Sequence, residues 1–282
     1  MISGSKRDKF IKGYMIFFRN TCIVFNYISI PLLTRIVMMS LMIFALLINA
    51  HAEKIEPLKI TLAAEDGWPP FADQVGSGIS HNLIKQAFQQ VNVEVSTIVV
   101  PYSRGLIMTE RGSVDGVFNV TREQSTVNRF VFGNVPLFTA TASFFFTKDK
   151  PVSLTDKWQI PINSVVGIIE DYEYGDDFLE LVKQRKLHII KVDSQRQLIN
   201  LLLVERIDAA IMYDLVADVY IKQMGVKDAI YSTFNNHTSE IFVAFSKKNP
   251  QSIHLSKLLD EGLLRLKKQG KYDKLLLPPS DY

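Results

Sequence analysis

The stretch VEVSTIVVPYSRGLIMTERGSVDGVF, residues 93–118, sets the fold. Val93 to Val100 is a run rich in β-branched residues closed by Pro101, the composition of a strand. From about Ser103 to Arg111 the spacing is helical, and Gly112 stops that helix. Val114-Asp115-Gly116-Val117-Phe118 then returns as a second strand. Upstream, Leu58, Ile60 and Leu62 alternate with polar neighbours as a strand does. Ser80 can cap a helix whose apolar face is Leu83, Ile84, Ala87, Phe88 and Val91. The sum is βαβαβ, the pattern of a mainly parallel sheet covered by helices.

Downstream the same order recurs. Ser164 to Ile169 reads as a strand, Gly175 to Lys186 as a helix, Leu187 to Val192 as a strand and Ser194 to Glu205 as a helix. Ile207 to Met212 and Asp214 to Met224 add a strand and a helix. Glu110-Arg111 before Val114-Asp115-Gly116 is echoed by Glu205-Arg206 before Ile207-Asp208-Ala209, which fits two lobes of similar topology. Ala142 to Thr147 and Glu240 to Ser246 read as strands crossing between the lobes. The expected architecture is therefore α/β, two-lobed, with two mixed, mainly parallel sheets joined by two crossing strands. Lobe 1 is expected over 53–145 plus 246–282, and lobe 2 over 146–245. The Leu-rich helix after Pro250 should pack on lobe 1. Two lobes joined in this way enclose a cleft, a common small-ligand site.

Before this unit, Arg35 precedes the apolar run Ile36 to Ile48, and Ala50-His51-Ala52 supplies a small-x-small exit. That order predicts a secretory signal peptide with cleavage after Ala52, making 1–52 a leader. The run is shorter than the about 20 residues a spanning helix needs; without cleavage it would tether the protein to the membrane. The 35 residues ahead of it favour a true start downstream of Met1. Of 32 Lys/Arg and 29 Asp/Glu, the leader holds six and one, which leaves a net charge of −2 on residues 53–282. No Lys/Arg-rich run remains, so nucleic acid is not an expected partner. Cys22 is the only cysteine and leaves with the leader, so no disulfide is expected.

The five histidines have no metal-ligand spacing, and Gly-x-Ser-x-Gly, His-Glu-x-x-His and phosphate-loop patterns are missing from the sequence. No metal and no cofactor is expected. Glu170, Asp171, Glu173, Asp176 and Asp177 form an acidic cluster that reads as a solvated helix start.

Several segments together resemble one family. They are Trp68-Pro69-Pro70-Phe71, Gly78-Ile79-Ser80-His81-Asn82-Leu83, Val100-Pro101-Tyr102-Ser103-Arg104 and Gly112-Ser113-Val114-Asp115-Gly116. Val166-Gly167-Ile168-Ile169 with Tyr172 and Tyr174-Gly175, Arg206-Ile207-Asp208-Ala209, Val243-Ala244-Phe245-Ser246-Lys247 and Gly270-Lys271-Tyr272 follow in order. Residues 53–282 thus resemble the family 3 solute-binding proteins of bacterial ABC importers. The resemblance implies a Venus-flytrap protein of the periplasm, a monomer that closes on an amino acid or similar small polar solute and delivers it to an inner-membrane permease.

The same resemblance implies site residues. Trp68 takes the place of an aromatic that stacks on the ligand, where a cation would gain about 0.5–2 kcal/mol. Phe71 and Tyr102 are further ligand-contact candidates, and Trp68 and Phe71 also read as core aromatics beside a turn. Arg122 in Asn119-Val120-Thr121-Arg122 is the expected carboxylate grip, since a guanidinium fork suits that role. Arg129 and Arg104 are the other candidates, and Asn119 and Thr121 are candidate donors. In the second lobe, Asp171-Tyr172 stands where relatives carry a Gly-Thr pair, which disfavours an anionic ligand group there. The position of the family's ammonium-binding acid falls on Tyr213, with Asp214 one residue later as the candidate acid or, equally, a helix cap. Two other functions fit the scaffold. One is a cyclohexadienyl-dehydratase-like enzyme with Glu170 or Glu173 as general acid, and the other is a sensor-type ligand-binding module.

Overall fold

The computed structural model describes Thr34, residues 36–40 and residues 56–278. Thr34 and residues 36–40 are helical and exposed; the rest of the expected leader, with Cys22 and the cleavage point after Ala52, lies outside the described residues. Residues 1–56 and 57–282 form separate compact units. Among the described residues no helix is long and apolar enough to cross a membrane.

The first half of the second unit comprises β1 (Leu58–Glu65), the short pair β2 (Gly67–Trp68) and β3 (Ala72–Asp73), α1 (Ile79–Gln89), β4 (Val93–Val100), α2 (Tyr102–Arg111), β5 (Gly116–Thr121), α3 (Gln124–Val127), β6 (Phe130–Phe132) and β7 (Phe138–Thr147). Next come β8 (Val165–Ile169), α4 (Phe178–Arg185), β9 (His188–Val192), α5 (Gln195–Leu203), β10 (Ala209–Tyr213), α6 (Asp214–Met224) and the long β11 (Ile230–Ser246). The chain then runs through α7 (Ser252–Lys268) and α8 (Tyr272–Leu275). Helix ends follow the local sequence. Pro101 sets the entry to α2, while Gly112 and Gly225 end α2 and α6 in the left-handed conformation that glycine tolerates.

The two halves have the same strand order. In the first, β1 lies between β4 and β5, parallel to both, and β11 runs antiparallel along β5. In the second, β8 lies between β9 and β10, parallel to both, and β7 runs antiparallel along β10. The echoed aspartates do the same work in each. Asp115 donates its N–H to Thr61 O at 2.8 Å and accepts Thr61 N–H on Oδ2 at 2.7 Å. Asp208 donates to Val165 O at 2.8 Å and accepts from Val165 N–H at 2.7 Å.

Two separate sheets, one per lobe, were expected, but nine of the eleven described strands form one curled, mixed sheet, with β2 and β3 paired apart from it. The crossing strands β7 and β11 pair with each other from Ile230↔Thr147 to Ile241↔Phe138, with register shifts between Ser232 and Asn235 and between Asn235 and His237, and so join the strands of both halves in one sheet. Helix α7 packs on α1 as expected, with Gly262 against the α1 backbone: an added Cβ there would sit 2.1 Å from Ala87 O. The core is aliphatic and aromatic, including Leu62, Phe88, Phe118, Phe144, Phe242 and Phe245. Burial of this kind is the main favourable contribution to folding.

Candidate functional site

Glu65 ends β1, Thr121 ends β5 and Tyr213 ends β10, while Tyr102 follows β4 and residues 170–174 follow β8. The carboxyl ends of the parallel strands in both halves thus converge, the place where open α/β sheets bind ligands.

Two tyrosine–glutamate bonds join the halves across this cleft. Tyr102 Oη donates to Glu173 Oε2 at 2.8 Å, and Tyr172 Oη donates to Glu65 Oε1. Farther along, Gly175 N–H donates to both oxygens of Glu123 at 3.2 Å and Gln124 N–H to Asp176 Oδ1 at 2.9 Å. A small inner cavity is lined by Glu65, Trp68, Tyr102, Asn119, Tyr172, Glu173 and Tyr213. Outside it lies a cavity of about 360 Å³, bordered among others by Glu65, Asp66, Glu170, Asp193 and Tyr220.

The aromatic walls are packed edge to face. Tyr213 meets Trp68 at 5.1 Å and 84°, and Tyr102 meets Tyr172 at 5.2 Å and 83°. Trp68 is 2% exposed, and its indole Nε1 has no hydrogen-bond partner. Phe71 stands behind it, stacked on Phe138 at 4.4 Å, and so supports the wall rather than lining the cavity. Gly78 fixes this corner. Its φ is 122°, and α1 starts by donating Ile79 N–H and Ser80 N–H to Pro70 O and Phe71 O.

Asn119 reaches the cleft through a bulge. The register of β5 on β11 shifts between Phe118↔Val243 and Val120↔Phe242, leaving Asn119 unpaired with φ 67°. Asparagine tolerates that left-handed backbone better than other residues with a Cβ. Its Oδ1 accepts Ser80 Oγ at 2.5 Å, and its buried Nδ2 has no partner. Thr121 is buried at the end of the same strand.

Burial dominates the electrostatics. It pushes Glu65 up to about 8; the Tyr172 hydroxyl opposes this and Asp66 and Glu173 add to it. It also pushes the partly buried Glu173 up to about 8, against the Tyr102 hydroxyl. Glu123 is raised for the same reason. His237 lies 3.8 Å from Glu123, but burial and then Lys157 push it down to about 4. It is therefore neutral near pH 7 and forms no ion pair.

The structure brings Trp68, Tyr102, Asn119 and Tyr172 of the expected set together around the inner cavity. It places the arginines elsewhere. Arg122 is exposed; it donates to Gly133 O at 3.4 Å and lies 5.9 Å from the Phe242 ring centroid. Arg129 pairs with Glu110 at 3.2 Å, and Arg104 is exposed in the first turn of α2 and lines neither cavity. Asp171 is exposed at φ 60° in the turn after β8. Asp214 opens α6 without lining the cavity, and Tyr213 does line it. Glu65 escaped the sequence reading although it is a carboxylate closing an otherwise apolar strand end, Leu62-Ala63-Ala64. Among the described residues, no His/Cys/Asp/Glu group has a metal-binding arrangement.

The profile of the bacterial extracellular solute-binding proteins, family 3, matches residues 60–277. No curated protein matches the chain. Among solved structures, an ancestral arginine-binding protein bound to arginine is similar, with 20% identity over 78% of this chain and 97% of that one and a TM-score of 0.67. A histidine kinase sensor domain with similarity to periplasmic binding proteins matches at 16% identity, over 78% and 95%, with a TM-score of 0.68. An ancestral amino-acid-binding protein described as a precursor of cyclohexadienyl dehydratase matches at 18% identity, over 77% and 93%, with a TM-score of 0.63. At these identities the likenesses speak for the fold.

Proposed function

The chain belongs to the bacterial extracellular solute-binding proteins of family 3, and from that membership we propose that it is a periplasmic binding protein, which captures a small, polar, amino-acid-like solute between its two lobes. Export by the 1–52 leader and delivery to an ABC permease complete this reading, with lobe 1 over 53–145 and 246–282 and lobe 2 over 146–245. The observation that carries it is the pair of adjoining cavities in the cleft, the outer one of about 360 Å³ and the small inner one, which share Glu65, Tyr102 and Tyr172. Their walls combine residues of the first half (Glu65, Trp68, Tyr102, Asn119) and of the second (Tyr172, Glu173, Tyr213). A solute held there touches both halves, and each contact it makes favours the closed arrangement over an open one. Trp68, Tyr102, Asn119 and Tyr172 are assigned to ligand contact, with Glu65, Glu173 and Tyr213 added.

The test is a thermal-shift screen of the purified protein against amino acids, amines and small carboxylates, followed by calorimetry on any that stabilise it. A true ligand at about 100 times its Kd adds about 2.7 kcal/mol. A protein that no small polar solute stabilises is not a solute binder of this kind.

One observation favours a second reading. Glu173 lines the inner cavity, and burial pushes its carboxyl up to about 8, which favours the protonated form that a general acid needs. A dehydratase would use that proton on a leaving hydroxyl. Incubation with prephenate or arogenate decides the matter: turnover that Glu173→Gln abolishes supports the enzyme, and no turnover removes it.

A further inference from the structure

We propose that the solute of this cleft is an organic cation without a carboxylate, an ammonium or guanidinium compound whose other polar group is an uncharged hydrogen-bond acceptor. The proposal rests on the cleft being a solute site at all, and it names the class of solute.

The charge lining is one-sided. The outer cavity carries Glu65, Asp66, Glu170 and Asp193, and the inner cavity Glu65 and Glu173. Neither is lined by a lysine, arginine or histidine. A ligand carboxylate would enter beside several acids and find no guanidinium to grip it. The three arginines of the surrounding segments line neither cavity: Arg122 donates to Gly133 O, Arg129 pairs with Glu110, and Arg104 is exposed.

The walls suit a cation. Trp68, Tyr102, Tyr172 and Tyr213 surround the inner cavity, and their ring faces attract positive charge. Glu65 and Glu173 each accept one bond from a tyrosine of the opposite half. The N–H groups of a ligand ammonium can take the place of those phenols, so that binding exchanges one donor for another and leaves no carboxyl unpaired.

A separate observation defines the rest of the ligand. Trp68 Nε1 and Asn119 Nδ2 are buried donors without partners, and both residues line the inner cavity. Trp68 is 2% exposed and Asn119 5%. Buried donors in native structures are nearly always satisfied, so two orphans at one cavity call for an acceptor supplied from outside. Once a bound ammonium has drawn the protons off Glu65 and Glu173, an anionic acceptor beside them is disfavoured, so that acceptor is an uncharged one: a hydroxyl, an amide carbonyl or an ether oxygen.

Matched pairs test this directly. Calorimetry on the purified full chain compares lysine with lysinamide, arginine with argininamide and phenylalanine with phenylalaninamide. Each amide keeps the ammonium and replaces the carboxylate with a neutral carbonyl. Amides binding at least about tenfold tighter than their parent acids support the proposal, with affinity lost about tenfold or more in Glu65→Gln and Glu173→Gln. Trp68→Phe keeps an aromatic ring, though a smaller one, and deletes the donor, so it should weaken the same amide severalfold; melting curves show that each variant remains folded. Parent amino acids that bind tighter than their amides overturn the ligand class and leave the solute-binding reading standing, as does tight binding of an uncharged or anionic solute. Failure of every solute, cationic, neutral and anionic, overturns both.

Discussion

Tyr102 Oη and Glu173 Oε2 lie 2.8 Å apart on opposite sides of the cleft, and the bond between them helps to hold the ligand-free halves together. Removing the phenol oxygen with Tyr102→Phe leaves a carboxyl without its donor, a loss of about 1–3 kcal/mol if the cleft stays shut. The halves can escape that loss by parting. Tyr102→Phe combined with Tyr172→Phe is therefore expected to raise the radius of gyration of the ligand-free protein in small-angle scattering. Unchanged scattering in the double variant would show that these bonds do not control closure.

The raised carboxyls make stability depend on pH. In the unfolded chain Glu65 titrates near the ordinary glutamate value of 4.5, and in the fold burial pushes it up to about 8. Between those values the folded state holds the extra proton, so the contribution is full below about pH 4.5 and is lost as pH rises through about 8. The slope is up to about 1.4 kcal/mol per pH unit for one such group. Glu173 acts in the same direction. Denaturation midpoints of the ligand-free protein should fall from pH 6 to pH 9, and Glu65→Gln should flatten the fall. A midpoint that climbs over that range contradicts the assignment.

Cation binding has the opposite dependence. An ammonium needs the ionised carboxylates, so affinity should rise between pH 6 and pH 8, by up to tenfold per unit for each carboxyl that must lose a proton. Calorimetry in buffers of different ionisation heat will report the released protons. Binding that is flat with pH would mean that Glu65 and Glu173 keep their protons in the complex.

Much of this molecule is legible in its sequence, and the illegible part has physical causes. The β-branched run Val93 to Val100, the Gly112 stop and the echoed Asp115 and Asp208 all act locally, through strand packing, helix capping and bonds to a neighbouring strand. The single curled sheet depends on β7 pairing with β11 some 90 residues away, which no local pattern reveals. The cleft was half visible. Trp68, Tyr102, Asn119 and Tyr172 are there, but where Arg122 points depends on the end of β5, and its guanidinium finds Gly133 O instead. Glu65 reads in sequence as a polar strand end; only the opposite half, through Tyr172, encloses it.

Arg122 supplies a plain test of that last point. Its side chain is exposed and bound to a backbone carbonyl outside the cleft. Arg122→Ala is expected to change solute affinity by less than about threefold, and stability by no more than about 0.5 kcal/mol. A tenfold loss of affinity would place this guanidinium in the liganded site after all.

Gly78 carries the sharpest expectation about the fold around the site. At φ 122° an added Cβ would meet Phe71 O at 2.4 Å and Pro70 O at 2.8 Å, both backbone atoms that cannot step aside. Those same carbonyls receive the first N–H groups of α1, and the turn carrying them positions Trp68 against Tyr213. Gly78→Ala therefore combines left-handed strain with a clash, for a loss of at least about 2 kcal/mol. The alternative to losing stability is to move the turn, and the turn carries the indole. The variant should thus shift both the denaturation midpoint and the Trp68 fluorescence, read with Trp158 replaced by Phe so that one indole remains. A midpoint within about 0.5 kcal/mol of the parent protein would mean that the turn at Pro70 and Phe71 does not hold α1 as tightly as the two bonds require.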